Sequence, residues 1–312
     1  MGQSVVELVT VGYLTLDDLV LTDGRLLRET LGGGALFSAA GAQVWGHAVG
    51  IHSCSGGDYP DAHRRTIEAA GINLAGVEVG PPRGLRLWLL EEGTLRKQQL
   101  PKMTSASAEE MDVARGSLPA AYQQARGFHV APSLPATQLT TVRTIRETVP
   151  EAVITLDVWT EPFFDATPYL DPDFLTGVDA FLPSDKEVEA LWGLDDPASA
   201  VRRLADLGPR VVALKRGEDG SLVYDRSRDV VWDIPSVPVT AVDTTGAGDA
   251  YCGGFLAGLV TSGDALEAAL QGTVSASFAV EDYGAQAAMG TDPAEVRRRL
   301  ERLRPRVRRA DG

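Results

Sequence analysis

Short, continuous apolar runs separated by longer helical stretches are the feature that most restricts how this chain can fold. Val5–Val11, Ala48–Ser53, Gly127–Val130, Ala152–Leu156, Ala180–Leu182 and Arg210–Leu214 are mostly apolar, with little alternation. A strand exposed on one face alternates, whereas a strand covered on both faces does not, so these runs suit a parallel sheet. Helical patterns fall between them, near Ala35–Trp45, Tyr59–Ala70, Ala136–Thr148, Asp185–Trp192 and Pro197–Leu207. This alternation predicts βαβ units and an α/β fold, a central mostly parallel sheet flanked by helices. The 312 residues contain no internal repeat and no low-complexity linker, and a single domain over 1–312 is expected.

Two stretches break the rhythm. Leu14–Leu21 with Arg25–Leu31, and Leu85–Glu91 with Thr94–Leu100, read as extended pairs joined by Asp23-Gly24 and Glu92-Gly93 turns. They predict a small separate sheet, near 14–31 and 85–100, acting as a lid over a site at the strand ends or as a contact between copies. A third pair, Ser221–Tyr224 and Asp229–Trp232, reads as an antiparallel extension of the main sheet.

Composition removes several functions. The formal charge of −14 disfavours a nucleic-acid surface, which needs clustered Lys and Arg. The arginine-rich stretch Arg297–Arg309 admits a nucleic-acid tail, but also a last helix starting at Asp292-Pro293 whose basic end suits the helix dipole and an acidic body. The second reading is preferred. Cys54 and Cys252 have neither disulfide-framework nor metal spacing, and His47, His52, His63 and His129 form no ligand pair. No run approaches the ~18 apolar residues of a membrane span. Met1–Thr10 lacks a basic segment followed by a long apolar one, so a reducing cytoplasm is the expected location.

The chemistry concentrates in Val242-Asp243-Thr244-Thr245-Gly246-Ala247-Gly248-Asp249-Ala250. An extended segment enters, a Gly-x-Gly turn follows, and a helix of small residues begins near Ala247. Glycine permits close backbone approach, and the free N–H groups of a first helical turn suit an anion. Small residues Ala250, Cys252, Gly253, Gly254 and Ala257 are expected to let this helix lie close to the sheet. An acidic residue beside an anion site needs a task, and Asp249 fits a general base that deprotonates a hydroxyl attacking a γ-phosphoryl group. The alternative is an acidic first-turn residue stabilised by the dipole. Neither a Gly-x-x-x-x-Gly-Lys-Ser/Thr loop nor a Gly-x-Gly-x-x-Gly after the first strand is present, so the P-loop and dinucleotide readings lose their main support.

Asp-Thr-Thr-Gly-Ala-Gly-Asp at 243–249 resembles the C-terminal signature of the ribokinase (PfkB) family of carbohydrate and nucleoside kinases. The resemblance implies a ribokinase-like fold with a β lid, ATP as co-substrate, Mg²⁺, and Asp249 as base, with the Ala247, Gly248 and Asp249 N–H groups as the anion hole after the Gly246 turn. Gly12-Tyr13-Leu14-Thr15-Leu16-Asp17 is similar to the family's Gly-x-x-x-x-Asp, which makes Asp17 the candidate for substrate hydroxyls, with Asp18 as alternative. Gly32, Gly33 and Gly34 resemble the di-glycine signature that brings backbone against the sugar. Phe37 stands where the family carries Asn, either stacking on an apolar ring face or joining the core.

Pro183-Ser184-Asp185-Lys186-Glu187 resembles the family's Asn-x-x-Glu region, with Ser184 in the Asn position. By this likeness Glu187 would help organise Mg²⁺ through water, and Ser184 could cap the helix. Lys215-Arg216-Gly217-Glu218-Asp219-Gly220 resembles the nucleotide-holding strand–turn, implicating Lys215, Gly217 and Gly220, against a solvated turn as the alternative. Thr244 and Gly284 are the further nucleotide candidates. Asp157 stands in the place of an Asp-x-Asn motif whose Asn is Trp159 here, and Arg86 and Trp88 lie on the second lid pair. The implied partner is a small sugar or nucleoside, without nucleic acid or membrane, and with a homodimer through the lid strands as an option. The departures at Phe37, Ser184 and Trp159 also admit a nucleotide- or sugar-binding regulator on a kinase scaffold.

Overall fold

The computed structural model describes residues 5–92, 97–112, 118–160 and 165–310. Strand β1 (Leu8–Val11) leads into β2 (Thr15–Val20) and β3 (Leu26–Gly32), and then into α1 (Gly34–Gln43). β4 (Val49–Ser55), α2 (Asp61–Ala69) and β5 (Asn73–Val79) follow, and then the hairpin of β6 (Leu85–Glu91) and β7 (Lys97–Pro101). The next units are β8 (Gly127–Val130), α3 (Pro135–Thr148), β9 (Val153–Leu156), β10 (Ala180–Phe181), α4 (Asp185–Trp192) and α5 (Pro197–Ala205). The chain closes with β11 (Val211–Lys215), β12 (Ser221–Asp225), β13 (Val230–Ile234), α6 (Ala247–Ser262), α7 (Ala265–Ala279), α8 (Pro293–Leu303) and β14 (Arg308–Arg309).

Ten strands form the main sheet in the order β14-β13-β12-β11-β10-β9-β8-β1-β4-β5. From β5 to β11 all neighbours are parallel, and β12, β13 and β14 add antiparallel strands, as the 221–232 hairpin predicts. The continuous apolar runs have a direct cause in β11: Val212 and Leu214 enter the core with α3 and α5, while Val211 and Ala213 enter the core with α6 and α7. Both faces are covered, so Val211–Leu214 are all apolar, and the strand's polar residue, Lys215, stands at its carboxyl end.

Helix α6 is nearly all small or apolar because it is enclosed by other helices. A Cβ on Gly253 would fall 1.8 Å from Ser38 O of α1, and one on Gly258 would fall 2.7 Å from Ala268 Cα of α7. Here the sequence reading is corrected: Gly253 and Gly254 admit the neighbouring helices α1 and α7 rather than the sheet.

The smaller sheet has the order β3-β2-β6-β7, with β2 and β6 parallel. It contains both predicted extended pairs; Gly93 of the expected Glu92-Gly93 turn and residues 94–96 lie outside the described residues. At the other end of the chain Asp292 caps α8 through the Ala294 N–H, as expected. Part of the basic stretch is held by the acidic body: Arg299 of α8 pairs with Glu281 and Glu295, and Arg304, just after the helix, with Glu267. No helix among the described residues is long and apolar enough to cross a membrane.

Candidate active site

The topology itself nominates a crevice. From β1 the chain moves outward one way through β4 and β5, and then returns to the other side of β1 with β8 and continues to β11. Between the carboxyl ends of β1 and β8 lies the switch point at which open α/β sheets bind ligands. Gly12 and Ala131, the residues just after these two strands, meet there: a Cβ on Gly12 would lie 2.9 Å from Ala131 Cβ.

Two helices begin at this crevice, each after a glycine in an unusual conformation. Gly33, with φ of +102°, precedes α1, and Gly246, with φ of +73°, precedes α6. In the 243–249 run, Asp243 Oδ1 accepts the Thr245 N–H at 2.9 Å and shapes the turn into Gly246. Asp249 sits in the first turn of α6. A Cβ on Gly34 would lie 2.9 Å from Asp249 Oδ1, so the carboxylate rests over the start of α1 with no room for a side chain there. Burial lifts Asp249 to about 6, with Lys215 opposing the shift and Glu187 adding to it.

Lys215, at the end of β11, donates to Asp157 at the end of β9 and lies 3.8 Å from Cys252 Sγ. A Cβ on Gly248 would lie 3.4 Å from Lys215 Nζ, which places the ammonium beside the first turn of α6. Burial lowers the Lys215 pKa, but Asp157, Cys252 and Glu187 outweigh it and hold the ammonium above its ordinary range. Glu187 belongs to a capping box at α4, its Oε2 accepting the Ser184 N–H at 2.6 Å while Ser184 Oγ accepts the Glu187 N–H. Burial and the Asp157 charge push Glu187 upward, and burial pushes Asp157 upward against Lys215. Three crowded carboxyls therefore face one ammonium.

The small sheet supplies the opposite wall. Asp17 on β2 is 4% exposed, and a Cβ on Gly32 would fall 2.0 Å from its Oδ2 and 2.6 Å from Thr15 Oγ1. Asp17 Oδ1 has no hydrogen-bond partner among the described residues, and burial lifts its carboxyl to about 7. Asp18, on the other face, is fully engaged by Lys102 Nζ at 2.7 Å and the Glu29 N–H at 2.9 Å. Of the two acids, Asp17 alone keeps an unused acceptor directed inward.

Residues 7–292 match the model of the pfkB family of carbohydrate kinases. The chain belongs to that family. It is 29% identical over 262 residues to a cytidine kinase of Thermococcus kodakarensis, covering 81% of this chain and 88% of that one. It is 32% identical over 273 residues to an ATP-dependent ribose-1-phosphate kinase of Halopiger xanaduensis, covering 83% and 84%. Among solved structures, an E. coli chain described as ribokinase II, in complex with ATP and Mg²⁺, superposes with a TM-score of 0.73 at 21% identity, covering 95% of this chain and 99% of that one. The ribokinase-like fold expected from the signature is the fold found.

Within this pfkB-family chain the geometry brings Asp249, Gly246, Gly248, Gly34 and Lys215 together, with Asp17, Gly32 and Gly33 on the adjoining wall. Two assignments change. The Ala247 N–H donates to Thr244 O at 3.2 Å, closing the turn. It is thus withdrawn from the expected anion hole, whereas the Gly246 and Gly248 N–H groups find no acceptor among the described residues. Phe37 is 3% exposed and its ring lies under Gly246, where an added Cβ would fall 2.2 Å from the ring. The residue therefore buttresses the glycine turn from the core and offers no face to a substrate. Gly217 and Gly220, with φ of +57° and +83°, shape the turn after Lys215. Gly284 lies at the root of the small sheet, an added Cβ meeting Leu31 O at 3.2 Å, and Thr244 forms the shoulder of the α6 turn. Trp159, just past Asp157, is half-buried. Lys97, which no motif points to, is buried against Asp243.

Proposed function

We propose that this pfkB-family enzyme transfers the γ-phosphoryl group of ATP to a hydroxyl of a sugar, sugar derivative or nucleoside, with Asp249 as the general base. One observation carries the reading: a carboxyl with a raised pKa stands at the positive end of α6, over the start of α1, in the crevice at the topological switch point. The acceptor hydroxyl lies between Asp249 and the Gly32–Gly34 turn, and Asp17 Oδ1 accepts a hydrogen bond from a second hydroxyl. As the acceptor oxygen bonds to the γ-phosphorus, Asp249 takes its proton and the bond to the ADP oxygen breaks. The Gly246 and Gly248 N–H groups and the α6 dipole stabilise charge on the transferred group. Lys215, beside Gly248, adds a positive charge, and Gly217, Gly220, Thr244 and Gly284 border the nucleotide.

Among the described residues no group of three His, Cys, Asp or Glu side chains could hold a metal directly. Mg²⁺ would therefore be carried in on the ATP phosphates, and Glu187 would help to hold it through water. When bound, Mg²⁺ supplies neutralisation of phosphate charge, and the excess of carboxyls around Lys215 suits a cation nearby. We read 1–312 as one kinase domain in which the small sheet acts as the lid. The exposed Leu26 and Leu100 on that sheet are the contacts that a homodimer through it would use. A cytoplasmic enzyme without nucleic-acid partners completes the reading.

The test is an ATP-consumption screen across sugars and nucleosides, with Asp249→Asn as the blank. Cytidine and ribose 1-phosphate, the acceptors in the names of the two relatives, are included. Acceptor-dependent ADP release that the blank lacks supports the proposal. ATP binding without turnover on any acceptor refutes it.

A further inference from the structure

Strand β7 of the small sheet and the turn that starts α6 are joined by one buried ion pair. Lys97 Nζ lies 2.5 Å from Asp243 Oδ1, and the two side chains are 1% and 2% exposed. The same Oδ1 accepts the Thr245 N–H at 2.9 Å, while Asp243 Oδ2 is buried with no partner among the described residues. Lys97 Nζ also stands 5.7 Å from the centre of the Tyr283 ring, and Tyr283 packs on Leu19, Leu21 and Leu89 under the small sheet. Three segments distant in sequence thus converge on one ammonium. If β7 moved off the turn, two charges would be left buried or newly solvated, which is among the more strongly opposed local changes. The Asp243 charge is also felt at Asp17, on the wall that the small sheet supplies.

We propose that Lys97 is a positioning residue whose ammonium holds the Asp243–Gly246 turn, and with it the Gly246 and Gly248 N–H groups, against strand β7. The turn takes its transfer-competent shape when the small sheet is docked. This rests on the reading that the α6 turn receives the transferred phosphoryl group, so the first measurement is one that needs no acceptor. In Lys97→Met, hydrogen–deuterium exchange of a peptide spanning 241–252 is expected to rise about tenfold or more, while peptides from β9 and β11 keep wild-type protection. With an acceptor found in the screen, kcat should fall about 10- to 100-fold with the ATP KM within about threefold, since a displaced turn harms alignment more than binding.

Ammonium, which can donate N–H from the space that Nζ vacates, should restore part of both losses, and tetramethylammonium should not. Should Lys97→Met fail to fold, Lys97→Met/Asp243→Asn removes both charges, and fast exchange confined to the turn is again expected. Wild-type protection of the turn in either variant overturns the proposal. So does a kcat within about twofold of wild type, or recovery that is absent or equal for the two ions. If no sugar or nucleoside is phosphorylated, the functional reading fails while the exchange result still decides the role of Lys97.

Discussion

Replacing Asp249 by Asn is the most informative single perturbation, because it removes the base while keeping the shape of the turn. Burial raises the Asp249 carboxyl to about 6, the neighbouring Lys215 restraining the shift. A base works ionised, so turnover should fall as pH drops through about 6: about nine-tenths of the enzyme is competent at pH 7 and about one-tenth at pH 5. Loss of a positioned base lowers turnover by about 10²–10⁴-fold, or about 3–5 kcal/mol of transition-state stabilisation at 1.36 kcal/mol per decade. The Gly246 and Gly248 N–H groups survive the change, so ATP affinity measured by calorimetry should stay within about threefold.

The assay is kcat against pH for both proteins. Glu187 and Asp17 are also raised to about 7, so an acidic limb alone does not identify its owner. The variant does: the limb near 6 must vanish along with most of the rate. An Asp249→Asn enzyme that turns over within about tenfold of wild type, or keeps the same limb at reduced amplitude, would refute Asp249 as the base.

Three further outcomes are expected. Gly34→Ala places a methyl group 2.9 Å from Asp249 Oδ1, so kcat should drop about 100-fold with an unchanged circular dichroism spectrum. Phe37→Ala empties the space under Gly246 and should destabilise by about 3–5 kcal/mol in urea melts, leaving the acceptor KM near wild type in the folded fraction; lost acceptor binding at unchanged stability would restore a substrate role. Asp17 has a folded pKa of about 7, above its unfolded value near 4, so its contribution is fully favourable below pH 4 and lost as pH rises through 7. Asp17→Asn should therefore gain about 2–4 kcal/mol of stability at pH 8 and almost none at pH 4, while acceptor binding weakens.

The sheet was legible wherever strands were buried on both faces, because two-sided burial leaves no alternative to an apolar run. β5 escaped for the converse reason. It is an edge strand, half-exposed, and its Gly76 is retained because a Cβ would fall 2.4 Å from the Tyr122 ring. The turn that carries Asp249 was readable as a unit because its residues are contiguous in sequence. Phe37 and Lys97 were not, for each acts through a partner far along the chain: Phe37 on Gly246, and Lys97 on Asp243. In the sequence the first looks like a changed substrate contact and the second like an ordinary strand lysine.

The burial that would fit Asp249 for the proposed role of base also opposes folding. A surface aspartate near 3.9 is a weak base at pH 7, and lifting it to about 6 strengthens it by roughly two units. The same shift is a linkage penalty: the folded state holds the proton more tightly than the unfolded chain, so stability declines between about pH 4 and 6 by about 1–3 kcal/mol. Asp17 adds a penalty of the same sign up to about 7, and Asp157 and Glu187 are pushed the same way around the single ammonium of Lys215. Such a site is least comfortable empty and ionised. A cation brought in on the ATP phosphates would relieve it, as Lys215 does in part. The crowding thus opposes folding of the empty site and favours the site loaded with ATP and its cation.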